Sequence, residues 1–121
     1  MKMRIKGYHS PDVDHLESYL PADAELFSIL LQIIVTPENL EGEESFDLLV
    51  CTPRYLQSKL ASDGTPIFGT HMLIVGRYDF RAIRRVIEDY CDNLDEPNWE
   101  KLASKLARIA RWEFQDYDQV P

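Results

Sequence analysis

The stretch from Leu26 to Thr52 constrains the fold more than any other part of the chain. Its first arm, Leu26 to Val35, is rich in β-branched and large apolar residues. It carries one unbroken apolar row, Phe27, Ile29, Leu31, Ile33 and Val35, which is the pattern of an inner strand. The second arm, Ser45 to Cys51, is a similar run. Between them, Pro37 to Glu44 holds a Pro, an Asn and a Gly, the residues that let a backbone reverse. The stretch therefore predicts a β-hairpin. Its tip carries Glu38, Glu41, Glu43 and Glu44 and no basic residue, so the most hydrophobic part of the predicted sheet ends in its most acidic loop.

The distribution of charge reinforces that reading. The chain of 121 residues has a formal net charge of −8, yet Lys2, Arg4 and Lys6 open it with three positive charges. Residues 7–53 then hold ten Asp or Glu and no Lys or Arg, whereas the remainder is nearly balanced. The excess negative charge thus comes from one contiguous portion centred on the hairpin. Two readings are open: a solvated acidic face that maintains solubility, or a negative field that steers a basic partner.

Before the hairpin, Met1, Met3, Ile5 and Gly7 alternate with Lys2, Arg4, Lys6 and Tyr8, a period of two that predicts a first strand with one apolar and one basic face. His9 to His15 follows as a loop broken by Pro11. His9, Asp12, Asp14 and His15 are metal-compatible donors, but their spacing fits no mechanically defensible motif, and a polar surface turn is the preferred reading. After the hairpin, Thr52-Pro53 predicts the start of a helix: a hydroxyl able to cap, then a Pro whose missing N–H is not needed there. The helix is expected over Pro53 to Leu60, with Leu56 and Leu60 on one face and Asp63-Gly64-Thr65-Pro66 ending it. His71 to Arg77 reads as a fourth strand, with His71 a hydrogen-bonded structural residue.

Asp79 is placed to cap a second helix, whose Phe80, Ile83, Val86, Ile87, Tyr90, Cys91 and Leu94 recur at three- and four-residue steps. Arg84/Glu88 and Arg85/Asp89 have the spacing of helix-surface ion pairs. Asp95-Glu96-Pro97 resembles Thr52-Pro53 as a helix start, and Trp99, Leu102, Ala103, Leu106, Ile109 and Ala110 form the stripe of a third helix. A short acidic turn should pack these two helices antiparallel as a hairpin. Together the elements predict one α+β domain over residues 1–121: two layers, with a four-stranded, mainly antiparallel sheet and about three helices packed against it. Trp112, Glu113 and Phe114, inside the run Arg111 to Tyr117, have two readings. Either the rings lock the C-terminus onto the domain, or aromatic anchors beside acids mark an interface.

Several function classes are weakened by what the chain lacks. No Gly-rich phosphate loop, paired Cys, or Ser or Cys in a recognisable motif beside a His is present, so no catalytic residue and no cofactor are assigned. Cys51 and Cys91 fall on apolar faces and read as buried thiols, not as a disulfide. No apolar run reaches the roughly 20 residues that span a bilayer, which makes cytoplasmic residence the expectation, with no membrane or nucleic-acid partner. A metal-dependent enzyme using His9 to His15 and a small adaptor subunit are the competing readings.

Four blocks carry a resemblance: His9-Ser10-Pro11-Asp12, Gly42-Glu43-Glu44-Ser45-Phe46-Asp47, Val50-Cys51-Thr52-Pro53-Arg54-Tyr55-Leu56 and Arg111-Trp112-Glu113-Phe114. Through these, in this order and with the Tyr90-Cys91-Asp92 helix, the chain resembles the immunity protein 8 family of bacterial polymorphic-toxin and contact-dependent growth inhibition systems. The resemblance implies an α+β protein that binds and neutralises a cognate toxin C-terminal domain, and it brings no catalytic residues. Many such toxins are nucleases with basic clefts. Glu38, Glu41, Glu43 and Glu44 are then the expected contacts, followed by Trp112, Glu113 and Phe114.

Overall fold

The hairpin forms as expected and sits at the centre of the sheet in the computed structural model, which describes residues 1–114 of the chain. Strand β2, Ser28–Pro37, pairs antiparallel with β3, Glu44–Cys51, in the register Leu31 to Leu48 and Ile33 to Phe46. The loop between them spans 38–43. It turns through Asn39 at φ 64° and Gly42 at φ 107°, left-handed conformations that explain why the sequence needs an Asn and a Gly there. Strand β1, Met3–His9, lies on the other side of β2, also antiparallel.

A β-bulge changes what β1 offers the core. Ile5 pairs with Val35, but Gly7 pairs with Ile34 and Tyr8 with Ile33, so one extra residue is accommodated near Lys6. The strict alternation predicted Gly7 facing in and Tyr8 facing out. The bulge reverses this, and the Tyr8 ring packs edge-on against Phe80 at 5.6 Å.

Among the described residues the sheet has five strands, not four. Strand β4, Met72–Ile74, runs parallel to β3 and covers only Leu49 to Cys51. The N-terminal half of the same edge stays open and is filled by β5, Arg111–Trp112, antiparallel to Phe46 and Asp47. Two residues carry no readable period, so β5 is set by the vacancy on β3 and not by local propensity. His71 enters β4 at φ 57°. It is held there by its ring Nε2, 2.8 Å from the Ala107 carbonyl, and by its own carbonyl, which accepts from Leu49 N at 3.0 Å.

Helix α1, Pro53–Asp63, begins at Thr52, whose hydroxyl accepts from Tyr55 N at 3.3 Å, and ends on Gly64 at φ 69°. The caps were legible, but the packing was not: α1 buries no residue, and Leu60 is exposed. It serves as the crossover between the parallel strands β3 and β4. The layer over the sheet is formed instead by α2, Phe80–Asp92, and α3, Trp99–Leu106. Asp79 caps α2 by accepting from Ala82 N at 3.2 Å. The cap of α3 is Asn98, accepting from Lys101 N at 2.9 Å, and not the Asp95-Glu96-Pro97 segment.

One apolar core results, in which Phe27, Ile29, Leu31, Ile33, Val35, Phe46, Leu48 and Val50 of the sheet meet Phe80, Ile83, Ile87 and Cys91 of α2 and Ala103 and Leu106 of α3. Val86 lies outside the buried stripe and is exposed. The Tyr90 hydroxyl donates to the Lys105 carbonyl at 2.6 Å, joining the last turns of both helices; a tight antiparallel hairpin would bring opposite ends together. Of the two expected surface pairs, Arg84–Glu88 forms at 3.7 Å, and Arg85 has no ion pair among the described residues.

Both cysteines are free and buried. Desolvation raises both thiols, Cys91 to about 12, so neither holds appreciable thiolate at neutral pH. A colorimetric thiol titration should therefore read close to zero equivalents in the folded protein and two after unfolding in denaturant.

Candidate partner-binding site

The two sets of residues singled out in the sequence, the hairpin tip and the C-terminal aromatics, meet at Glu44. Strand β5 places Trp112 opposite Phe46, with the rings parallel (9° between planes) and 6.1 Å apart, and Phe114 stands edge-on to Trp112 at 6.3 Å. The indole Nε1 of Trp112 donates to Glu44 Oε1 at 3.1 Å. One residue further along each strand, Glu113 Oε1 accepts from Ser45 N at 2.9 Å, and Glu113 N donates to the Ser45 carbonyl at 3.2 Å. The loop end of β3 and residues Trp112 and Glu113 are thus clasped by reciprocal bonds. Trp112 is half-buried, while Glu113 and Phe114 are exposed beside it. Tyr117, the last aromatic of the run, lies outside the described residues.

The glutamates divide by environment. Glu38 meets the start of the chain: its Oε2 accepts from Lys2 N at 3.2 Å, and its own N donates to the Lys2 carbonyl at 2.9 Å. Glu43 pairs with Lys6, both side chains remaining about half exposed. Glu41 is exposed in the loop. Glu44 is half-buried, and its carboxyl is raised above the usual range, chiefly by desolvation and also by the nearby Glu113 charge, while hydrogen bonds from Trp112 and Trp99 pull the other way. Trp99, expected to be buried, is instead half-buried, with its indole at Glu44.

Lys2, Lys6, Ser45 and Trp99 therefore belong to this region, although sequence reasoning did not place them there. The basic alternation of β1 was visible; that it borders the acidic loop depends on the β1–β2 pairing. The tip is consequently less negative than its sequence suggests. Exposed pairs of this kind contribute about 1 kcal/mol at most, so Lys6 holds Glu43 only weakly.

A raised Glu44 has a consequence for stability. A carboxyl whose folded pKa lies above its unfolded value supports the fold while protonated, and that support is lost as pH rises through the folded pKa. Glu44→Gln keeps an acceptor for Trp112 and removes the desolvated charge. The stability of this variant relative to wild type should rise between about pH 4 and pH 7, a trend that urea midpoints across that range will show.

The donors of the His9 to His15 segment are not all free for a common ligand. His9 Nδ1 lies 2.7 Å from Gln32 Oε1, and Asp12 Oδ2 accepts from Leu30 N at 2.8 Å, so both are committed to β2. His9, Asp14 and His15 line one cleft of about 630 Å³ with Tyr8, Phe80 and Arg84. Among the described residues, no group of three His, Cys, Asp or Glu side chains is placed to hold a metal ion.

A patch of acids and rings held by one another and by backbone groups has the chemistry of recognition. The scaffold that carries it is an α+β fold. The chain belongs to the Immunity protein 8 family, whose description matches residues 3–117. Membership implies a cognate toxin protein as the partner. Comparison with curated proteins and with solved structures gives no match. Among the described residues, no helix is long and apolar enough to cross a membrane.

Proposed function

We propose that this immunity protein neutralises its toxin, in the cytoplasm of the producing cell, by docking the hairpin–tail patch onto a basic surface of the toxin domain and covering its active site or substrate groove. What carries the reading is the clasp of Trp112 on Glu44 and of Glu113 on Ser45, which fastens the tail and its Phe114 ring to the strand that leaves the acidic loop of Glu38, Glu41 and Glu43. The acids supply long-range attraction, which speeds encounter. The exposed ring of Phe114, braced by Trp112, supplies an anchor that sets the rate of dissociation. A toxin that handles phosphates offers the complementary basic cleft, so a nuclease of a contact-dependent inhibition system is the partner of best fit. The protein acts by binding and not by turnover.

The direct test uses the purified cognate toxin domain. Phe114→Ala should leave the fold intact, because the ring is exposed, and should raise the dissociation rate by about tenfold or more, as expected of an anchor worth at least ~1.4 kcal/mol. A dissociation rate equal to that of wild type would place the interface elsewhere.

A further inference from the structure

The opposite end of the sheet carries a second feature of reversed sign. Strand β2 runs nine residue steps from the hairpin tip back to Ser28, about 30 Å at ~3.3 Å per step. There a cavity of about 760 Å³ is lined by Arg77, Arg81 and Arg84 together with Tyr19, Leu20 and Tyr78. Its wall is aromatic: Tyr19 packs edge-on against Tyr78 at 5.0 Å, and Tyr78 against Phe27 at 5.6 Å. The Tyr78 hydroxyl donates to the Leu16 carbonyl, which fixes the 16–20 segment over the start of α2.

The lining carries three Arg against two acids, Glu17 and Asp79. Arg84 is shared between Glu17 at 3.4 Å and Glu88 at 3.7 Å. Asp79, the other acid in the lining, is used as the α2 cap. Arg77 and Arg81 make no ion pair among the described residues. Beside them Leu20 is 88% exposed, an apolar side chain left in water on a loop that is otherwise pinned.

We propose that this cavity docks a short acidic peptide segment of a protein partner, its carboxylates on the Arg77 and Arg81 guanidinium forks and an apolar side chain against Leu20 and Tyr19. Arg is suited to this because its planar fork takes a carboxylate through two parallel hydrogen bonds. A polyanion does not fit, because the chain carries a net charge of −8, with ten acids between residues 7 and 53, and repels an extended run of phosphates. A short segment with one or two carboxylates meets only the local positive field. The site lies at the far end of the sheet from the clasp and is independent of the hairpin reading.

The test is a titration of the isotope-labelled full chain with a tetrapeptide of alternating Glu and Leu, its ends blocked so that it carries two carboxylates, followed by amide chemical shifts. The Gln-Leu counterpart, inorganic phosphate and a single-stranded oligonucleotide are run in parallel. The Glu-Leu peptide should give saturable shifts at 77–81 and at Tyr19 and Leu20. The dissociation constant should rise at least tenfold for the Gln-Leu peptide and for the Arg77→Gln, Arg81→Gln double variant, and severalfold for Leu20→Ala. Shifts distant from the cavity should match wild type in both variants, confirming that they fold. Absence of saturable shifts, equal binding by the double variant, or tighter binding of phosphate or oligonucleotide than of the peptide would each overturn the proposal.

Discussion

Replacing Glu38, Glu41, Glu43 and Glu44 together by Gln should slow association with the toxin domain by about ten- to a hundredfold at low salt, the range over which charge steering accelerates encounter. The fold should survive. Gln keeps an acceptor for Lys2 N at position 38 and for the Trp112 indole at position 44, while Glu41 is exposed and the Lys6–Glu43 pair is too solvated to stabilise much. The salt response is the more diagnostic readout. Attraction between exposed charges is screened over about 8 Å at physiological ionic strength, so the wild-type on-rate should fall as salt rises and that of the variant should fall less. Dissociation should change little, because it is set by contacts formed after docking. Rapid-mixing kinetics at two salt concentrations measure both. An on-rate and salt slope equal to those of wild type would reduce the acidic tip to a solubility device and leave Trp112, Glu113 and Phe114 as the contact residues. In cells, the same variant should protect poorly when its expression is low, since slower capture leaves free toxin for longer.

The second large effect is on stability. Leu106 is fully buried on the last turn of α3 within the core that joins the sheet to α2 and α3. Leu106→Ala removes a branched side chain from a close-packed interior and should cost about 2 to 5 kcal/mol, depending on how far the neighbours collapse into the cavity. The lower denaturant midpoint should come with an unchanged slope, since the surface exposed on unfolding is nearly the same. The Tyr90 hydroxyl bonds to the Lys105 carbonyl and His71 Nε2 to the Ala107 carbonyl, so loosening this turn should also loosen the entry to β4. An unchanged midpoint would mean that the packing face of α3 is not the one described.

Local rules wrote the elements of this protein into its sequence. The apolar rows of β2 and β3, the Asn and Gly of their turn, the Thr52 and Asp79 caps and the three-and-four spacing on α2 and α3 all act between residues a few positions apart. Their elements can therefore be read without knowing the partner. The acid charge of the tip and the aromatic character of the tail were visible for the same reason. Tertiary structure decided everything that depends on which surfaces meet. The bulge in β1 turned Tyr8 into the core because β2 is paired there in that register, and α1 buries none of its residues, the core being closed by α2 and α3. Strand β5, with two residues, exists because β4 leaves half of one edge of β3 unpaired. The same pairing joined Glu44 to Trp112 and Ser45 to Glu113, fastening the tail to the strand that leaves the acidic loop. Hydrogen bonds between residues 68 positions apart leave no periodic trace in a sequence, since their energy is realised only once the chain between them has folded.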